Sequence, residues 1–118
     1  MKHLAVAAIG LALVGNPCRA VAADYAPLDC AKAKSAAEIT ICKTYSLGQA
    51  EARMATLYAV ATSLVMMGRR GDIRDAQAEF LKAREACGRR VACLTRLYSS
   101  HIAQLNTVIA EIASRGPY

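Results

Sequence analysis

The sequence predicts an all-α protein: a small antiparallel helical bundle with a short N-terminal helical segment, stapled by two disulfides. Three observations carry this. No stretch alternates apolar and polar residues as a half-buried strand does, and alanine is abundant while the aromatics are five tyrosines and one phenylalanine. Apolar residues instead recur at spacings of three and four over long windows. Four cysteines remain once the first segment of the chain is set aside.

That first segment reads as a leader. Lys2 and His3 open it, Leu4 to Val14 is an apolar run too short to span a bilayer, and Ala20-Val21-Ala22 offers an A-x-A-like cut. The expected division is residues 1–22 as a secretory signal and 23–118 as one domain. Cys18 follows the apolar run, as a lipid-anchoring cysteine would, but Pro17 precedes it where a small residue belongs. It is therefore assigned to the leader. Removing Lys2 and Arg19 with the leader leaves thirteen basic side chains against nine acids, a net charge of +4. The remaining chain has no second apolar run long enough to cross a membrane. A periplasmic or secreted protein is expected.

The helices follow in order. "LDCAKAKSAAEITICKTY" forms a short helix, with Ser35 and Glu38 spaced as a capping box. Ser46 and Gln49 repeat that spacing at the head of a second helix. Its stripe runs through Leu47, Met54, Tyr58 and Ala61, and Gly68 and Gly71 end it. Arg69 and Arg70 then lie near the negative end of its dipole. Met66 and Met67 are expected to fill core. Asp72 caps a third helix of medium length, whose stripe takes Ile73, Ala76 or Gln77, Phe80, Leu81, Arg84 and Cys87. Gly88 stops it. The last helix begins near Val91 and buries Leu94, Leu97, Tyr98, Ile102, Leu105, Val108, Ile109 and Ile112. Gly116-Pro117 ends it.

The cysteines decide the chemistry. Structural zinc sites bring cysteines in pairs two to four residues apart, whereas Cys30 and Cys42 are separated by eleven residues and Cys87 and Cys93 by five. His101 is the one histidine after the leader, and no Cys-x-x-Cys redox turn is present. No metal and no cofactor is expected. Four cysteines allow three connectivities. Locality favours Cys30–Cys42 and Cys87–Cys93, the second clamping the turn "CGRRVAC" between the last two helices.

Those same residues resemble a known family. "DCAKAKSAAEITIC" is similar to the Asp-Cys…Glu…Ile-Cys opening of the LprI-like lysozyme-inhibitor domain. "LYAVA" and "QAEFLKAREACGRRVACLTRLYSSHIAQL" resemble its continuation: a glutamine, an aromatic, an arginine, two cysteines, Leu-x-x-x-Tyr and a closing leucine. The likeness covers residues 29–105. The family pattern often has tryptophan where Phe80 stands and arginine where His101 stands, and an aspartate is common near Glu51. The resemblance implies an all-helical, disulfide-bonded exported protein and, for some members, inhibition of lysozyme. It fixes no inhibitory residues.

Nothing in the residues points to catalysis, so no enzyme is expected. There is no nucleophile-elbow or phosphate-cradling glycine motif, and the acids are scattered and read as caps or solvated faces. Arg84 is the candidate for a structural ion pair with Glu38, tying the N-terminal piece to the bundle. Arg84, Tyr58 and Tyr98 are also candidates for partner contact, with core positions as the alternative reading for the two rings. Arg89 and Arg90, at the second cysteine loop, are the exposed basic candidates. The basic balance suits a protein partner, a lysozyme among them, or an anionic envelope polymer. Nucleic acid is excluded by compartment and by the lack of any recognition motif. Long-range steering toward a strongly basic lysozyme would be repulsive, so such binding must rest on local acidic or polar groups.

Overall fold

A computed structural model describes residues 25–115 and contains four α-helices, with no strand among the described residues. The segment expected to be a leader, with Cys18, lies outside those residues, as does Gly116-Pro117. After a 3₁₀ turn at Cys30–Lys32 come α1 (Ala36–Lys43), α2 (Tyr45–Leu64), α3 (Met67–Cys87) and α4 (Val91–Ala113). Both predicted links are present: Cys30 is bonded to Cys42 and Cys87 to Cys93.

Helix α1 starts where its capping box predicts. Ser35 Oγ accepts from the Glu38 N–H at 3.1 Å, while Glu38 Oε2 accepts from the Ser35 and Lys34 N–H groups at 3.1 and 2.8 Å. The two amide donors hold the Glu38 carboxyl below the usual carboxylate range. The capping box expected at Ser46 does not form: Thr44 precedes α2 and makes no side-chain cap.

The break between α2 and α3 falls earlier than the glycines suggest. The helix ends at Leu64, and α3 begins at Met67, running through Gly68, Gly71 and Asp72. Asp72 is thus inside a helix and caps nothing. Arg70 supplies the reason for the early stop. Its guanidinium donates to the carbonyls of Thr62 (2.8 Å) and Val65 (3.1 Å), satisfying acceptors that another turn of helix would otherwise use. Both glycines are tolerated in α3 at roughly 1 kcal/mol each, the ordinary cost of glycine in a helix. The bundle therefore has three long helices, where two long and one medium were expected. Met66 and Met67 are 87% and 85% exposed, contrary to a core-filling role, because the turn carries them past the end of the bundle.

Gly88 closes α3 as predicted. Its φ of +56° lies in the region glycine favours, and its N–H donates to Glu85 O at 3.1 Å.

Two short turns make α2 and α4 run the same way, with α3 opposed. Glu51 meets Tyr98, and sixty-odd positions meet the end of α4 through Arg69–Glu111. The most extensive packing is between α2 and α4. Leu47, Met54 and Tyr58 of α2 lie against Leu94, Tyr98 and Leu105 of α4, all at most 2% exposed. Removing an aliphatic side chain of this kind from water is worth about 1.5–3 kcal/mol. Helix α1 packs on α2 and α3 at the end that carries both disulfides, here called the stapled pole. The α2–α3 turn and the last turn of α4 form the opposite end, the apex.

Candidate functional site

The stapled pole is organised around Glu51. It lies on the stripe of α2, four residues after Leu47 and three before Met54, and is 3% exposed. Its Oε1 accepts from the Tyr25 hydroxyl at 2.5 Å and from the Leu28 N–H at 3.0 Å. Its Oε2 accepts from the Tyr98 hydroxyl at 2.5 Å and lies 3.7 Å from Arg84 Nη1. A buried carboxylate is tolerated only when donors and a countercharge surround it, and these four groups supply both.

Arg84, 6% exposed, serves three partners besides Glu51. Nη1 donates to Tyr25 Oη at 3.1 Å, Nη2 lies 3.3 Å from Glu85 Oε1, and the predicted Glu38 partner sits 3.8 Å away. The Glu38 contact is thus a charge contact, longer than a hydrogen bond. Burial works against the guanidinium's charge, but the two phenol oxygens and Glu51 hold its pKa above the ordinary value. Tyr25 and Tyr98 are both pushed well above the usual phenol range, by burial first and by donating to Glu51 second. No buried side-chain nitrogen or oxygen of this centre lacks a hydrogen-bond partner inside the protein. Its hydrogen-bonding capacity ties residues 25–28 to α2, α3 and α4.

A second buried polar chain lies one turn along. His101 Nε2 sits 2.7 Å from Gln77 Oε1, and Gln77 Nε2 donates to Met54 Sδ at 3.4 Å. The His101 ring stacks on Phe80, centroids 4.5 Å apart and planes 11° from parallel. Nδ1 lies 3.3 Å from Gln104 Oε1. Burial holds the imidazole's pKa below the usual value, so it is neutral at pH 7. Among the described residues no buried side-chain nitrogen or oxygen lacks a hydrogen-bond partner.

The candidate contact residues separate cleanly. Tyr58 and Tyr98 are 2% and 1% exposed, the first edge-on to Tyr25 and the second edge-on to Phe80. With Arg84 they belong to the core, so burial removes all three from any contact surface. Arg89 and Arg90 are exposed at the Cys87–Cys93 loop. Arg90 turns its guanidinium back onto the carbonyls of Cys87 (3.1 Å) and Ala86 (2.9 Å), finishing α3 as Arg70 finishes α2. Beside it a shallow cleft of about 370 Å³, bordered by Ala83, Cys93, Arg96 and Leu97, opens to solvent. All four cysteines among the described residues are in disulfides, so none of these offers a thiolate ligand. No group of three or more potential metal ligands occurs among the described residues.

Sequence reasoning missed Glu51, His101 and Tyr25. The signal for the first two was positional: Glu51 falls on the α2 stripe, and His101 follows Leu94 by seven residues and Tyr98 by three. Tyr25 precedes every periodic segment and left no such sign. No helix among the described residues is long and apolar enough to cross a membrane. Comparison with family models, with curated proteins and with solved structures found no match to this chain.

Proposed function

We propose that the chain is an exported, non-catalytic binding domain of the LprI-like kind, which inhibits a peptidoglycan-cleaving lysozyme by occluding its cleft. One observation carries the reading: the residues of the resemblance converge on a single connected unit. Glu38 lies against Arg84, and the disulfides flank that contact. Gln77 and Phe80 pack on His101, Phe80 also on Tyr98, and Leu94 and Leu105 close the core. The pattern is thus a folding signature, and recognition belongs to the surface it holds rigid.

Two of the three departures from the pattern, Phe80 and His101, are physically one, since the rings stack on each other. A neutral imidazole on phenylalanine replaces the arginine-on-tryptophan pair the family pattern implies. Export is supported by the leader and by the pairing of all four later cysteines, since disulfides persist in oxidising compartments. A basic target needs local negative groups, and Asp72, Asp75 and Glu79 follow each other at spacings of three and four on the exposed side of α3.

A second reading has its own observation. Arg89 and Arg96 are exposed around the Cys87–Cys93 loop with Arg90 beside them, which suits an anionic envelope polymer. A lysozyme-inhibition assay on the oxidised protein, at low and moderate salt and against several lysozyme types, separates the two. The inhibitor reading predicts saturable loss of lysis by at least one type. No inhibition by any, with salt-sensitive binding to anionic envelope fractions, selects the second.

A further inference from the structure

Turns at bundle ends ordinarily use glycine, asparagine, aspartate or serine, which solvate well. The apex instead reads Leu64-Val65-Met66-Met67, with Leu64 53% exposed and the two methionines 87% and 85% exposed. Behind them an apolar cleft of about 290 Å³ is walled by Val65, Val108 and Ile112, with Arg69 and Arg115 beside it. Neither backbone geometry nor core packing calls for apolar side chains at these exposed positions.

The geometry points to a bilayer surface carrying anionic lipid as the occupant: Met66 and Met67 enter the acyl boundary while the arginines behind them meet the phosphates. Three features select it. Methionine is unbranched and adapts to a fluid apolar phase better than to a fixed pocket. Arg69, Arg74 and Arg115 are exposed at this end, and Arg70 adds its charge while it fixes the turn. Asp72, Asp75 and Glu111, the last paired with Arg69, offset three of these charges, so the attraction is modest and apolar insertion dominates. A second copy of the chain fits less well, because three projecting side chains fall far short of the roughly 20–30 residues a side of a stable interface. The inference does not rest on the lysozyme reading, since it turns on Leu64, Met66 and Met67, which that reading does not use, although Asp72 and Asp75 lie at the same end.

The chain contains no tryptophan, so Met67→Trp places a single reporter at the apex of the full-length protein, at a position too exposed to disturb the core. Vesicles of equal parts phosphatidylglycerol and phosphatidylcholine should shift its emission to the blue, and pure phosphatidylcholine should need a lipid concentration a few-fold higher for the same shift. Adding Met66→Asp should raise the lipid concentration needed by on the order of tenfold or more, and moderate salt should raise it a few-fold. Three results overturn the proposal: emission unchanged by anionic vesicles, the same lipid requirement on neutral ones, or a lipid requirement unchanged by Met66→Asp. A blue shift that tracks protein concentration without lipid overturns it in favour of a second copy. Because the reporter reads residue 67 alone, binding through residues 1–24 would leave it unshifted.

Discussion

The two poles of this bundle solve the same problem, ending three helices at one place, by opposite means. At the stapled pole two disulfides, a capping box, a left-handed glycine and the Glu51–Arg84 centre hold five segments together. At the apex one arginine reaches back over a turn of two residues, an exposed ion pair links α3 to α4, and apolar side chains face solvent. The difference teaches that residue chemistry alone does not tell an interface anchor from a core side chain: position in the framework does. Tyr58, Tyr98 and Arg84 have the chemistry of interface anchors, yet the fold uses all three internally, whereas the large apolar side chains that face solvent at Leu64, Met66 and Met67 lie where the framework is thinnest.

Substitutions at matched positions should break that contrast or sharpen it. Glu51→Ala leaves Arg84, two phenols and the Leu28 N–H without their shared acceptor, and should cost about 3–5 kcal/mol in urea unfolding. A loss under 1 kcal/mol would mean the centre is not what joins residues 25–28 to the bundle. Replacing Cys30 and Cys42 together with serine should cost roughly 3 kcal/mol, and Cys87 with Cys93 a little over ~2, from loop closure in the unfolded chain. Non-reducing and reducing melts of the parent protein check the same quantity.

Alkali probes the centre without mutation. The folded pKa values of Tyr25 and Tyr98 lie above those of the unfolded chain, so the unfolded state gives up its phenolic protons first as pH rises. Their contribution is intact below about pH 10 and falls above it, by up to about 1.4 kcal/mol per pH unit for each phenol. Tyr98→Phe should flatten that slope. On the acid side the lowered pKa values of Glu38 and His101 act the other way. For His101 the loss begins as pH drops through about 6.5, where the unfolded imidazole takes a proton the folded one refuses. For Glu38 it comes in the acid carboxylate range, as pH falls toward its lowered folded value.

The apex should respond weakly. Arg70→Ala removes two hydrogen bonds to the end of α2 and should cost about 1 kcal/mol. Glu111→Ala removes an ion pair in which both side chains are about half exposed, and should change stability by at most about 0.5 kcal/mol.

The covalent ties and helix ends of the stapled pole were legible in sequence, apart from the Ser46–Gln49 box, which does not form. The Ser35–Glu38 box, Gly88 and the spacing of apolar residues in α4 are local signals, and each has its expected partner in the structure. Locality likewise picked out the two disulfides that form. The apex misled because its determinants are not local. Gly68, Gly71 and Asp72 spell a helix end and a new cap, but Arg70, reaching eight residues back to Thr62, sets where α2 stops. Glu51 stayed hidden because a glutamate between alanines reads as solvated. Only its register with Leu47, Met54 and Tyr58 marks it as buried, and its four partners come from three separate segments, residues 25–28, α3 and α4.

Native-state hydrogen exchange tests the contrast between the poles most directly. Amides around Met54, Arg84 and Tyr98 should exchange only through global unfolding, while those from Thr62 to Arg70 exchange through local opening several kcal/mol cheaper, on the order of the spread seen between core and loop segments. Equal protection at both ends, or slower exchange at the apex than at the stapled pole, would contradict the account.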